Sequence, residues 1–347
     1  MYRIGIIGGG IAGSTAALEL KKAGFEIVIF EKENQIGGQI KEFGCKATDV
    51  CTRCNLCLVD SIFNQIKNDP EIEIKTGHQT VDAYRDQDGF TLYCETQNKD
   101  LEYSGFDKIL LATGYKRWSE LETGTPEIFD DPRIIWAGEM EEMLFSREDK
   151  LQHKSLEIGT EKKPESAYFI QCNGSRSPQE KARYCSRVCC GYNYRLARVL
   201  RDNFPEMELG IFFIDMQESG FLTDLSFQRL EEENIKYYNC KPLRINRDGD
   251  KLTVSYEDQS KGEMAKVKTD LLILSEGIHP GEDNLRWADL FNLQLDEDGF
   301  LEPIWPGEKS GVYLAGTVKN PGDIATTIAD SRKTAYKIIE ELKEVPV

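Results

Sequence analysis

Histidine, tryptophan and methionine are scarce, at three, four and six of 347 residues. No apolar run reaches the roughly 18 residues that a membrane-crossing helix needs, so no membrane span is expected. The chain opens Met-Tyr-Arg-Ile-Gly-Ile-Ile-Gly-Gly-Gly, with no basic stretch ahead of an apolar one and no small-residue cleavage site. No secretory leader is therefore expected, and the expected compartment is cytoplasmic. Basic residues number 43 against 60 acidic ones, a formal net charge of −17. Nucleic acid is excluded as a partner, because phosphate binding needs clustered Lys and Arg. An acidic surface does allow docking to a basic partner face. His78 and His279 fall beside turn signals and His153 in a charged stretch, and none has a metal-ligand spacing. There is no internal repeat and no low-complexity tract.

Ten cysteines are many for a chain without a leader, and eight are grouped. Cys45, Cys51, Cys54 and Cys57 lie within 13 residues, and Cys172, Cys185, Cys189 and Cys190 within 19. Tight groups in a reducing compartment point to metal or redox chemistry rather than a disulfide frame. Cys94 and Cys240 stand alone in strand-like contexts and read as small buried hydrophobes.

Residues 3–7 read as a buried strand and Ile11 to Ala23 as a helix. Between them, Gly8-Gly9-Gly10-Ile11-Ala12-Gly13 is a G-x-G-x-x-G. Gly8 allows the tight turn, Gly10 the approach of backbone N–H groups to a pyrophosphate, and Gly13 close packing of helix on strand. The helix N-terminus at Ile11 and Ala12 attracts the negative charge. A second strand, Phe25–Phe30, ends in Glu31, 18 residues after Gly13, where a carboxylate accepts ribose hydroxyls.

Three further segments carry a resemblance that implies the dinucleotide is FAD. Glu31-Lys32 is followed by Gly37-Gly38-Gln39, a strand from Asp107 ends in Ala112-Thr113-Gly114, and Gly311-Val-Tyr-Leu-Ala-Gly316-Thr317 precedes Asp323-Ile324 and a helix to about Leu342. Together they resemble the thioredoxin reductase and glutathione reductase type of flavoprotein. The fold this implies is α/β, with two Rossmann-like dinucleotide-binding domains. Residues 1–125 and 276–347 would form the FAD domain, 126–165 a connecting segment and 166–275 the second domain. The Lys- and Glu-rich residues 146–166 read as a solvated linker. The resemblance adds Lys32, Gly38, Gln39, Ala112, Thr113, Gly114, Gly316, Thr317, Asp323 and Ile324 to the flavin site. Gly316-Thr317 replaces the usual Gly-Asp, which weakens the ribityl contact.

The second domain starts with a strand at Ser166–Gln171, yet the next turn, Cys172-Asn-Gly-Ser-Arg-Ser177, is no G-x-G-x-x-G. The fold is expected to persist while the nicotinamide nucleotide site is lost. Cys172, Cys185, Cys189 and Cys190 follow instead, with Cys185 and Cys189 sharing a face if the segment is helical. Four thiolates suit a [4Fe–4S] cluster or a tetrahedral zinc.

Phe169-Ile-Gln-Cys-Asn-Gly-Ser-Arg176 and Tyr184-Cys-Ser-Arg-Val-Cys-Cys190 resemble the A-type flavin subunit of heterodisulfide reductases. The resemblance runs from about residue 1 to 340 and implies a [4Fe–4S] cluster on that quartet. It also implies a homodimer working with B- and C-like subunits. Methanogenic relatives are much longer, and the short form resembles the heterodisulfide reductase-like proteins of sulfur oxidisers. Arg195 stands where methanogenic relatives tend to carry Lys, a cation that could sit near the flavin. The function implied is an electron-transfer and electron-storing subunit, with thiol, disulfide or sulfane chemistry on its partners. The alternatives are an electron-bifurcating flavin subunit or a self-sufficient pyridine nucleotide–disulfide oxidoreductase using Cys54 and Cys57. Cys45, Cys51, Cys54 and Cys57 read as a second Fe–S site, a redox thiol pair or reduced structural thiols.

Overall fold

The computed structural model describes residues 1–48, 51–119, 128, 130–145, 163–178, 182–217, 232–303 and 311–344. His153 and residues 146–162 of the expected linker lie outside them. In chain order the principal elements begin with β1 (Arg3–Ile7), α1 (Ile11–Lys22), β2 (Glu26–Glu31), α2 (Leu56–Asn68), β3 (Ile72–Thr76), β4 (Gln79–Asp86), β5 (Gly89–Glu95), β6 (Asp100–Phe106) and β7 (Lys108–Leu111). Next come β8 (Ile134–Trp136), α3 (Ala137–Leu144), β9 (Ser166–Ile170), α4 (Cys189–Asn203), β10 (Glu208–Phe213), β11 (Ile235–Asn239), β12 (Arg244–Asp248), β13 (Lys251–Asp258), β14 (Glu263–Thr269) and β15 (Leu271–Leu274). The last are α5 (Asn284–Phe291), β16 (Val312–Leu314) and α6 (Ile324–Glu344).

The chain divides into two units, residues 1–41, 55–116 and 280–347, and residues 42–54 and 117–279. In the first, a five-stranded sheet runs β16-β7-β1-β2-β3 with every pair parallel. Its central strands are apolar on both faces because both are covered. Ile4, Ile6, Ile27 and Ile29 pack with Ala16, Leu20, Ile62 and Ile338 on the helical side. Ile7, Val28, Phe30 and Leu111 pack with Phe90, Leu92 and Phe106 on the other. That second cover is the antiparallel meander β4-β5-β6. Its third strand, β6, is tied to the sheet by Tyr103 and Phe106, whose rings lie edge-on to Phe30 at 5.1 and 5.8 Å between centroids.

The second unit repeats this wiring without repeating the sequence. Its parallel sheet runs β11-β10-β9-β15-β8, and its antiparallel meander is β12-β13-β14. Ala167, Phe169, Leu209 and Ile273 pack beneath Leu196, Ala197 and Leu200 of α4. Tyr168, Phe212 and Leu272 face Val254 and Tyr256 of the meander. The fold is thus α/β with two Rossmann-like halves. In each half the first strand and helix bring a loop to the carboxyl end of the sheet, where ligands bind in such folds.

Candidate functional site

In the first unit that loop is a glycine cradle. A Cβ on Gly8 (φ +108°) would lie 2.4 Å from the Ala112 carbonyl oxygen, and one on Gly13 would lie 2.0 Å from that of Gly8. These two glycines serve the chain's own packing. Gly10 differs: a Cβ there would meet nothing within 4 Å. The space beside Gly10 is open, at the start of a 12-residue helix with no side-chain cap and no acid in its first turn. Backbone N–H groups of Ile11, Ala12 and Gly13 begin that helix, so a phosphate group is the ligand it suits.

The remaining predicted residues of this unit gather round the cradle. Glu31 is buried, and its two carboxylate oxygens accept the Gly9 and Glu33 amides at 2.8 and 2.9 Å. Each oxygen keeps a lone pair for a hydroxyl donor. Lys32 beside it is exposed. Gly38 (φ +55°) comes within 3.4 Å of Gly10 Cα, measured from its would-be Cβ. Gln39 Nε2 donates to the Tyr115 carbonyl at 2.7 Å, tying that turn to Ala112, Thr113 and Gly114. Gly114 (φ +81°) again borders open space. Gly316 (φ +76°) abuts Ala12, and its amide donates to Asp330 Oδ2 at 2.8 Å. Thr317 is buried next to it. Asp323 caps α6 by accepting the Thr326 amide at 2.7 Å, with Ile324 the first helical residue. A cradle open at Gly10 and closed at Gly8 and Gly13, with a buried carboxylate at the end of β2, fits an adenine dinucleotide such as FAD. Asp330 escaped the sequence reading because its partner Gly316 lies 14 residues earlier, a spacing without a local pattern.

The second unit treats the equivalent loop differently. Cys172 follows β9 in a left-handed conformation (φ +60°), and its carbonyl accepts Lys241 Nζ at 3.3 Å. Gly174 (φ +71°) is covered by the Trp118 ring, whose Cγ would lie 2.1 Å from a Cβ there. Trp118 stacks on His279 at 4.5 Å between centroids, and His279 Nε2 donates to the Gly174 carbonyl at 2.5 Å. Where the first unit leaves room for a pyrophosphate, this one inserts an indole.

Cys172, Cys189 and Cys190 are buried and Cys185 is half-buried. Helix α4 begins only at Cys189, so Cys185 sits in the preceding loop and not on the helical face its spacing allowed. The reason is local: Arg187 has φ +63°, which no right-handed helix accommodates. The Arg187 amide donates to Cys185 Sγ at 3.3 Å, and Cys190 Sγ faces the Asp215 carbonyl at 3.8 Å. Burial first, and then the negative charge of Cys172 and Cys190, push the Cys189 thiol up. Burial and Cys185 do the same to Cys172, while Arg176 and Lys241 oppose them. The four thiols therefore share one electrostatic environment. As they stand, no three His, Cys, Asp or Glu side chains among the described residues are gathered to hold an ion. The donor set itself, four sulfurs with two cations alongside, fits a thiolate-bound anionic cluster.

Arg195, on α4, donates from Nε to the Thr52 carbonyl at 3.1 Å. It thereby holds the other cysteine segment, residues 42–54, within this unit. Lys46 in that segment is buried and ion-paired with buried Glu141. Phe43, Phe145 and Tyr192 surround its ammonium at 5.1–5.8 Å. Cys45, Cys51 and Cys54 belong to the second unit, and Cys57 lies in the first turn of α2 in the first. No sequence pattern signals a pair 95 residues apart such as Lys46 and Glu141.

A family model for NAD(P)-binding Rossmann-like domains matches residues 6–71. The chain is 24% identical over 96% of its length to the A-type iron-sulfur subunit of a CoB–CoM heterodisulfide reductase from Methanopyrus kandleri. It is 29% identical over 83% of its length to the A-type subunit of the H2:CoB-CoM heterodisulfide,ferredoxin reductase from Methanothermobacter thermautotrophicus. It spans 63% and 41% of those proteins. Among solved structures, the thioredoxin reductase of T. acidophilum superposes with a TM-score of 0.64 over 99% of this chain and 100% of that one, at 18% identity. The thioredoxin reductase of Lactococcus lactis gives 0.62, at 16% identity, over 99% and 100%.

Proposed function

We propose that this chain, a relative of the heterodisulfide reductase A-type subunits with the fold of a thioredoxin reductase, is an oxidoreductase subunit that transfers and stores electrons on FAD and a [4Fe–4S] cluster. The observation that carries the reading is the substitution at the second loop: a cysteine quartet and an indole stand where a nicotinamide nucleotide would bind. Gly10 and Glu31 would hold the dinucleotide, in a cradle whose tight turn and packing Gly8 and Gly13 allow, and Cys172, Cys185, Cys189 and Cys190 would hold the cluster. When bound, FAD supplies one- and two-electron exchange and the cluster one-electron exchange. The chain's own residues do the rest. The α1 N-terminus binds phosphate, Glu31 orients the ribose, and Arg176 and Lys241 offset negative charge at the sulfurs. Burial of Cys172, Cys189 and Cys190 excludes water. Chemistry on thiols, disulfides or sulfane sulfur falls to B- and C-like partner subunits, in a cytoplasmic, sulfur-oxidising assembly built on a homodimer.

The test is an anaerobic reductive titration of the purified chain, followed by visible and EPR spectroscopy with iron and FAD quantified. The reading expects one FAD per chain and a reducible iron–sulfur signal that Cys189→Ser removes. Flavin without iron, bleaching only in two-electron steps, would overturn it.

A further inference from the structure

We propose that Asp330, paired with Lys319, positions the turn that meets the flavin half of the dinucleotide, and so sets the preference for FAD over a bare adenine nucleotide. The inference rests on the FAD reading above and deepens it. Strand order supplies the direction. In the sheet β16-β7-β1-β2-β3, the cradle at Gly8–Gly13 follows β1 and Glu31 ends β2. With Glu31 taking the adenosine ribose on one side of the pyrophosphate, the second half of the ligand leaves on the other, over β7 and β16. The end of β16 lies two strand spacings from β1, about 10 Å, within the reach of a sugar-alcohol chain.

What stands there is a turn held closed from α6. Gly316 has φ +76°, and a Cβ on it would lie 2.7 Å from Ala12 Cβ and 3.2 Å from Thr327 Cγ2. The turn is thus wedged between the first turn of α1, which draws the phosphate, and α6. The Gly316 carbonyl accepts the Lys319 amide at 3.2 Å. Asp330 closes the same turn a second time: Oδ2 accepts the Gly316 amide at 2.8 Å and Oδ1 accepts Lys319 Nζ at 2.6 Å. One carboxylate therefore holds both ends of the turn, and Thr317 and Val318 between them are buried. One helical turn on, Thr334 donates to the Leu314 carbonyl at 3.1 Å, so β16 and its turn are fixed to one face of α6.

Docking α6 does not require this polar clamp. Ile328, Ala335, Ile338 and Leu342 already bury the helix in the core of the sheet. An ion pair whose side chains are 15% and 30% exposed adds little to stability. Its bond to the Gly316 amide is charge-assisted and fixes the orientation of that peptide. Orientation matters where a ligand must be met, and this turn closes the side of the cradle opposite Glu31. Asp330 acts through Gly316 and Thr317, so it is a positioning residue.

ADP carries the adenine half of FAD alone, so equilibrium dialysis of each against the full chain separates the two sides of the site. Asp330→Ala should weaken FAD by about tenfold or more and leave ADP within about twofold, because a charge-assisted bond is lost on the flavin side only. Asp330→Asn, of the same shape and without the charge, should show the same selectivity at a smaller size, and it serves where the alanine variant does not fold. Visible circular dichroism of the bound flavin, which a loss of stability alone does not move, should change in both. Gly10→Ala, on the shared phosphate side, should weaken both ligands. Equal losses of FAD and ADP in the Asp330 variants, or FAD affinity equal to wild type, would overturn the proposal and leave the FAD reading standing. A wild-type chain that binds ADP but no FAD would sink the FAD reading, and this inference with it.

Discussion

The indole of Trp118 lies so close over Gly174 that a single added methyl would stand 2.1 Å from its Cγ. The ring is held by stacking on His279 and by the Trp118 amide donating to the Gly277 carbonyl at 2.9 Å. A dinucleotide pyrophosphate would need that volume. NADH and NADPH at millimolar concentration should leave the bound flavin oxidised in anaerobic stopped-flow, with no quenching of tryptophan fluorescence. Rapid flavin bleaching would favour the self-sufficient disulfide oxidoreductase. Gly174→Ala, strained at φ +71° and overpacked against the indole, should lower stability by about 2–3 kcal/mol in urea denaturation.

The glycines of the first cradle should separate binding from folding. Gly13→Ala drives a Cβ into the Gly8 carbonyl and should destabilise the chain by about 3 kcal/mol. Gly10→Ala meets no protein atom, so the apo chain should lose under about 1 kcal/mol, the cost of alanine at an N-cap. Its FAD affinity should nevertheless fall by about tenfold or more, because the methyl occupies the phosphate's approach. Equilibrium dialysis of FAD together with thermal melts of the apo forms distinguishes the two. Equal FAD affinity in Gly10→Ala and wild type would remove the cradle from the cofactor site.

Lys46 and Glu141 should be strongly coupled. Lys46→Met leaves a buried carboxylate without its cation and should cost about 3–5 kcal/mol. The double variant K46M/E141L removes both charges and should recover much of that loss. A double-mutant cycle by chemical denaturation reads the coupling directly. Additive losses would mean that the ammonium draws its stability from Phe43, Phe145 and Tyr192 rather than from Glu141.

Asp131 gives the second unit an acid-sensitive clasp. Its buried carboxylate accepts Arg133 Nε and Nη2 and Arg247 Nε, each at 2.7 Å. Arg133 foremost, then Arg247, holds it well below the usual carboxylate range. With the folded value depressed, its stabilisation is complete above the unfolded value of about 4. It is lost as pH falls through the lower, folded value. Asp131→Asn should therefore cost about 2–3 kcal/mol at pH 7, a deficit that narrows below about pH 4. A deficit independent of pH would assign the loss to packing.

Much of the first cradle was legible because its signal is local. Gly8, Gly10, Gly13 and Glu31 lie within one strand–helix–strand run, and each acts through its own backbone or one short side chain. The α/β class followed from the family resemblance carried by Gly8–Gly13, Ala112–Gly114 and Gly311–Thr317, motifs that are equally local. The third strand of the first meander and the start of α4 were not. The former depends on Phe30 reaching Tyr103 across 73 residues of chain, and the latter on one left-handed arginine.

The sequence by itself carried the dinucleotide cradle and the grouping of cysteines, both set by residue types at fixed short spacings. Only the tertiary structure decided that Trp118 closes the second cradle over Gly174, and that Lys46 and Arg195 bind the 42–54 segment into the second unit. Those contacts join residues 56 to 143 positions apart, where no spacing carries a pattern. Which ring or cation fills such a gap follows from packing and charge compensation once the chain has folded.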